Sequence, residues 1–261
     1  MTDQSQTKFK TGLVLSGGGA RGIAHIGVLK ALEEFGVEAD CIAGTSAGSI
    51  VGSLYAYGYK PDEIIDLIVG TSIFKTLKLA WTWRGLMSLV GLTEVLLKLM
   101  PENSFESLKK PMTIAATEIR KGKSVYFTEG ELIPAILSSC CVPAVFDPIQ
   151  FNGGMYVDGG ILDNLPAGTI RDHCEVLIAS HCNYIGEAFD FKSFRNIIER
   201  SLLMAINRNT VHSKGMCDVW IEPPEVGKFS GFELARAKEL FQLGYDFTKK
   251  NFDPSDFQKK V

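Results

Sequence analysis

Two runs of small residues, "SGGGARG" at 16–22 and "GTSAG" at 44–48, each lie between an apolar β-like run and a helix-like one. "TGLVLS" (11–16) leads into the first, and beyond it Ile23, Ile26, Val28, Leu29 and Leu32 keep helical spacing until Gly36. "CIAGT" (41–45) leads into the second, and "SAGSIVGSLYAYG" reads as a helix of small residues able to pack close to a sheet. Two consecutive strand–turn–helix units restrict the chain to an α/β architecture. Further strands are predicted at 111–117, 124–128, 175–180 and 218–223, with a hairpin around Lys121 and Gly122. Helices are predicted at 62–69, 131–140, 193–211 and 233–249. The alternation predicts a three-layer α/β/α fold around a mostly parallel sheet covered on both faces.

With 261 residues, 46% of them hydrophobic, the chain can bury a substantial core, and 11–261 reads as one domain behind a polar tail at 1–10. A net charge of −3 and no Lys/Arg run longer than two residues argue against a nucleic-acid partner. Six scattered cysteines without a CxxC indicate neither a metal site nor a disulfide framework, and suit a reducing cytoplasm. The tail "MTDQSQTKFK" lacks the apolar core of a secretory signal. The apolar segment 71–100 is interrupted by Lys75, Lys78, Arg84, Glu94 and Lys98, so it is not expected to span a bilayer.

Gly17, Gly19 and Gly22 have GxGxxG spacing, yet Glu38 and Asp40 precede the second strand, where a dinucleotide site needs its acid at the far end. No Lys-Ser/Thr pair follows the last glycine, which excludes a P-loop. What remains is a loop whose N–H groups, backed by a helix N-terminus, can converge on one negative atom, as an oxyanion hole requires. "GTSAG" is a GxSxG pattern, which sets Ser46 on a nucleophile elbow. In a parallel sheet both turns leave the same carboxyl edge, so the donors of 17–19 and the Ser46 hydroxyl can face one carbonyl. A serine nucleophile needs a base. His25 shares a helix face with Ile26 and Leu29, and His173 and His212 follow helices; His181, ending "EVLIASH", and Asp158, in "YVDGG", remain as candidates.

Four blocks in order, "GGGARG" (17–22), "GTSAG" (44–48), "SSCCVPAVF" (138–146) and "DGGILDNLP" (158–166), make the chain resemble the patatin-like phospholipase family over most of residues 11–182. The resemblance implies Ser46 as nucleophile and Asp158 as its partner in a dyad, with no histidine, metal or other cofactor required. It implies an oxyanion loop at Gly17, Gly18 and Gly19 with Arg21 beside it, and supporting turns at Gly44, Gly48, Gly159 and Gly160. Cys140 and Cys141 stand where small residues are usual, a matter of packing. Beyond about residue 190 the resemblance specifies little. The implied substrate is a lipid or other acyl ester. Leu, Trp81, Trp83, Phe74 and Met87 interleaved with cations make 71–100 a candidate lid or membrane-surface segment, and suggest peripheral contact at the inner membrane surface. Two alternatives stand beside this expectation: a Ser46–Asp158–His181 triad, and a lipid-sensing or adaptor protein without turnover. Oligomeric state leaves no trace in the sequence.

Overall fold

A computed structural model describes residues 9–70, 89–143, 145–187, 194–231 and 233–258. Its centre is an eight-stranded sheet in the order β5-β6-β3-β2-β1-β7-β8, with β4 also paired to β3. The strands are β1 Phe9–Leu15, β2 Cys41–Thr45, β3 Met112–Glu118, β4 Lys123–Phe127, β5 Ile149–Phe151, β6 Gly154–Asp158, β7 Cys174–Ser180 and β8 Val219–Ile221. The helices are α1 Ala24–Glu34, α2 Ala47–Tyr57, α3 Pro61–Gly70, α4 Val90–Leu99, α5 Leu132–Cys140, α6 Phe194–Lys214 and α7 Ala237–Asn251. β1 begins inside the stretch read as a tail. Of the expected lid, 71–88 lies outside the described residues, while the remainder forms α4, whose Leu92 and Leu96 are buried in the core.

β1, β2, β3, β7 and β8 run parallel, and every residue of β2 and β3 is buried, as expected for strands covered on both faces. Side chains alternate between two cores. Leu13, Leu15, Ile42, Ile114 and Ile178 join the larger, filled by α1–α5 and α7. Val14, Ala43, Leu177 and Ala179 join a smaller one, closed by Leu165, Ala167 and Ile170. Local chemistry sets the helix ends: α2 stops at Gly58, whose φ of 118° suits glycine and whose N–H reaches Leu54 and Tyr55 carbonyls.

The antiparallel end of the sheet was legible only in part. Gly122, at φ 59°, turns β3 into β4 where a hairpin was expected. A second hairpin, β5–β6, went unread, although Asn152-Gly153 between Phe151 and Gly154, at φ 45° and 74°, is a strong two-residue hairpin signal.

This hairpin decides where the site forms. β4 occupies one edge of β3 along Ile114–Glu118, so β2 and β6 share the other. β2 ends with Thr45 opposite Ala115, and β6, running the other way, ends with Asp158 opposite Ala116. The two strands therefore meet carboxyl end to carboxyl end. The room is small: a Cβ on Gly159 would stand 2.3 Å from the Ala115 carbonyl oxygen and 3.0 Å from the Thr45 methyl. Gly159→Ala is expected to cost about 1–3 kcal/mol of stability, as over-packing does. Urea unfolding measures it, and an unchanged midpoint would mean that the junction is loose.

Candidate active site

Ser46 is the first residue past β2 and opens α2, with φ 52° and ψ −122°. A non-glycine residue there carries roughly 1–3 kcal/mol of strain, which the surroundings must over-determine. They do so on both sides of the peptide. The Ser46 N–H donates to Ser139 Oγ at 2.8 Å, and that hydroxyl donates to the Ala115 carbonyl at 2.6 Å. The Ser46 carbonyl accepts from the Ser49 hydroxyl at 2.7 Å and the Ser49 N–H at 2.8 Å. The elbow lies tight against its neighbours: a Cβ on Gly48 would be 2.4 Å from the Leu15 carbonyl oxygen, and one on Gly44 2.6 Å from the Gly48 oxygen.

Asp158 ends β6 one sheet position away. Its Oδ2 accepts from the Ser46 hydroxyl at 2.7 Å and its Oδ1 from the Gly160 N–H at 2.7 Å. Its own backbone is fixed by the Cys141 carbonyl at 2.8 Å and the Thr117 hydroxyl at 3.1 Å. Burial pushes the Asp158 carboxyl up to about 6, against the Ser46 hydroxyl and Gly160 N–H, which pull it down.

The glycine-rich loop faces the same place. The Gly17 N–H is taken by the Asn164 carbonyl at 3.1 Å, and the Ala20 N–H by the Gly231 carbonyl at 2.7 Å. Between them, the Gly18 and Gly19 N–H groups have no protein acceptor among the described residues, at the start of a short 3₁₀ turn running straight into α1. Arg21 turns away into the protein, where its Nε donates to the Phe229 carbonyl at 2.7 Å and its guanidinium lies 3.5 Å from Glu199. A cavity of ≈ 160 Å³ opens over Ser46, walled by Ile50, Leu54, Leu92, Leu96 and Phe146, with Gly19 and Gly231 on its rim.

The histidines lie elsewhere in the hydrogen-bond network. His181 Nδ1 pairs with Glu222 at 2.7 Å, and its ring packs 5.0 Å from Trp220, with no hydrogen bond to Ser46 or Asp158. His25 is wholly buried, bonded through Nε2 to the Ser16 carbonyl at 2.9 Å and through Nδ1 to the Ser180 hydroxyl at 2.7 Å. Burial lowers it to about 4, so it stays neutral and ties the carboxyl ends of β1 and β7 together.

Sequence reasoning missed the residues that hold these turns. Asn209 on α6 donates to the Gly160 and Ile161 carbonyls at 3.0 and 3.2 Å, and its Oδ1 accepts from the Asn164 N–H at 3.1 Å. Asn183 donates to the Gly17 carbonyl at 2.7 Å, and Asn207 to the Asn183 carbonyl at 2.7 Å. Glu199 accepts from the Gly231 N–H at 2.9 Å. Asn207 and Asn209, in a helix otherwise rich in apolar residues, were the available signal, since a side chain that competes with helical backbone bonding is kept mainly where it has another partner. Among the described residues, no cluster of three or more His, Cys, Asp or Glu side chains could hold a metal ion, and no helix is long and apolar enough to cross a membrane.

A carboxyl raised from about 4 to about 6 on folding keeps its proton in the native state where the unfolded chain has lost it, so its contribution to stability falls as pH rises through that window. Asp158→Asn, which cannot ionise, is expected to melt higher relative to the parent as pH is raised from 4 to 7; a pH-independent difference in Tm would argue against a buried carboxylate. Ser139→Ala is expected to cost about 1–3 kcal/mol, because the strained Ser46 peptide loses its buried acceptor. Chemical unfolding of the variant measures this.

A family model described as patatin-like phospholipase matches residues 13–170. The chain is 30% identical over 245 residues to an uncharacterized NTE family protein of Mycobacterium tuberculosis, covering 83% of this chain and 68% of that one. It is 27% identical over 275 residues to lysophospholipase nte1 of Aspergillus fumigatus, covering 92% of this chain but only 18% of that much longer protein. Among solved structures, VipD from Legionella pneumophila shares the fold at a TM-score of 0.53 and 17% identity, over 97% of this chain and 70% of that one.

Proposed function

This chain belongs to the patatin-like phospholipase family, and from that premise we propose that it hydrolyses acyl ester bonds of phospholipids or related lipids through a Ser46–Asp158 dyad. The observation that carries the reading is the 2.7 Å bond between the Ser46 hydroxyl and the Asp158 carboxylate at the base of an apolar cavity. The aliphatic wall suits an acyl chain, with the ester carbonyl at Ser46.

As Ser46 Oγ attacks the carbonyl carbon, Asp158 Oδ2 accepts the hydroxyl proton, and the oxyanion is met by the Gly18 and Gly19 N–H groups. Gly17, its N–H already given to Asn164, serves to shape the loop. Collapse of the intermediate breaks the ester C–O bond, and Asp158 passes the proton to the departing alkoxide. Water then attacks the acyl-enzyme while Asp158 takes its proton. That proton returns to Ser46 Oγ as the fatty acid leaves. A carboxyl near 6 is a stronger base than a free aspartate yet is mostly ionised at pH 7, close to the optimum for a general base. Residues 11–261 act in this reading as a single catalytic domain, and six free cysteines fit a reducing cytoplasm.

The test is reaction of the folded protein with a fluorophosphonate probe and peptide mapping of the adduct. Labelling is expected at Ser46, lost in Asp158→Asn and retained in His181→Ala; loss in the histidine variant would restore the triad. Ester turnover is expected to fall on the order of 10⁴-fold in Ser46→Ala, and the kcat profile to rise with pH through about 6 as Asp158 ionises. A profile flat from pH 5 to 8 would exclude Asp158 as the base.

A further inference from the structure

The large apolar side chains that remain exposed are not scattered. Of ten such residues described, seven lie on α6 or on the segments it holds. On the helix, Ile198 is 47% exposed, Leu202 52%, Met204 59% and Val211 61%. Beside it, Ile161 and Leu162 belong to the turn that Asn209 grips, and Tyr184 follows Asn183, whose carbonyl Asn207 binds. The amphipathic order of the helix is inverted. Its fully buried positions are Thr210 and Ser213, and its inward-bonded side chains include Glu199, Asn207 and Asn209, whereas an ordinary surface helix turns its apolar stripe inward.

The charge is equally one-sided. α6 carries Arg195, Arg200, Arg208 and Lys214 against one carboxylate, Glu199, in a chain whose net charge is −3. Glu199 is spent inward on Arg21, Ser230 and Gly231. Arg208 is exposed beside Met204 and Val211, while Lys214, also exposed, lies over the Trp220 ring. Apolar side chains beside an outward cation, with no outward carboxylate among the described residues of the helix, match an anionic bilayer surface. The position fits as well: Gly231, which Glu199 holds, is on the rim of the cavity over Ser46.

We propose that the outer face of α6, opposite its inward-bonded Glu199, Asn207, Thr210 and Ser213, docks on anionic phospholipid membranes, with Met204 and Val211 in the headgroup–acyl boundary and Arg208 on lipid phosphates. The face then does two things at once, since the helix whose outer side meets lipid holds with its inner side the loops carrying Gly17 and Gly160. The catalytic use of that docking rests on the lipid-hydrolase reading above; the binding itself does not.

Co-sedimentation of the full chain with vesicles of phosphatidylglycerol in phosphatidylcholine, and with phosphatidylcholine alone, tests it. The parent is expected to bind the anionic vesicles more tightly and to weaken with salt. Met204→Ser/Val211→Ser should lower the partition coefficient roughly tenfold, and Arg208→Gln about fivefold. Hydrolysis of water-soluble p-nitrophenyl butyrate should be unchanged in all of them. Failure of the parent to sediment with phosphatidylglycerol vesicles, or equal binding by the variants, would overturn the proposal. So would a self-associated parent that binds no vesicles and becomes monomeric in Met204→Ser/Val211→Ser, which would give the face to a second copy of the chain. An absence of esterase activity with vesicle binding intact would overturn only the hydrolase reading.

Discussion

The site depends on one backbone constraint, the sharing of a single edge of β3 by two strands of opposite direction. Thr45 and Asp158 pair with the consecutive residues Ala115 and Ala116. A strand advances about 3.3 Å per residue, so this register alone brings the ends of β2 and β6 to within reach of one hydrogen bond. Ser46 and Asp158 are 112 residues apart in the chain and become partners because β3 is a common ruler. The ruler is also a participant, since its Ala115 carbonyl takes the Ser139 hydroxyl that supports the Ser46 N–H.

Two unfavourable states are held at this junction. Ser46 is in a backbone region that a side chain resists, and Asp158 is a carboxylate withdrawn from water. Neither has a compensating ion pair among the described residues; each is held by short hydrogen bonds from backbone or hydroxyl groups whose positions the sheet and α5 dictate. The same economy governs the glycine-rich loop. Gly17 and Ala20 are tied by their N–H groups to Asn164 and Gly231, while the two donors between them take no acceptor among the described residues. Asn164 is in turn tied to Asn209, which also binds Gly160. The glycine-rich loop and the aspartate turn thus belong to one hydrogen-bonded ring.

Much of this was legible in the sequence. The two strand–turn–helix units gave the parallel half of the sheet, and the continuous apolar run in "TGLVLS" fits a strand buried on both faces, with Leu13 and Leu15 in one core and Val14 in the other. Gly44, Ser46 and Gly48 could be placed on an elbow because GxSxG has a steric meaning. In the antiparallel half the β3–β4 hairpin was legible and the β5–β6 turn left a signal, but nothing in "GMYVD" says that β6 joins β3. Ser139, Asn164 and Asn209 could not be read because their partners are carbonyls and N–H groups distant in sequence, and backbone groups leave no signature. His181 looked suitable from its place at the end of β7, yet Glu222, on a segment 41 residues later, takes its ring nitrogen.

The ruler has a consequence for how such a chain can diverge. Because Thr45 and Asp158 are registered on two consecutive residues of β3, much of the chain that leaves and returns to it carries no positional burden. The connection from α2 to β3, which contains α3 and α4, can lengthen, shorten or exchange its side chains while Thr45 and Asp158 still end against Ala115 and Ala116, and the one from β4 to β5 can do so outside Ser139 and Cys141, which hold Ser46 and Asp158. Those two connections also build the wall of the cavity, through Leu92 and Leu96 on one and Val142 and Phe146 on the other. In the proposed reading, bond-breaking and the choice of what is broken thereby fall on separate residues, so a lineage built on this fold can change its diet without re-inventing its chemistry.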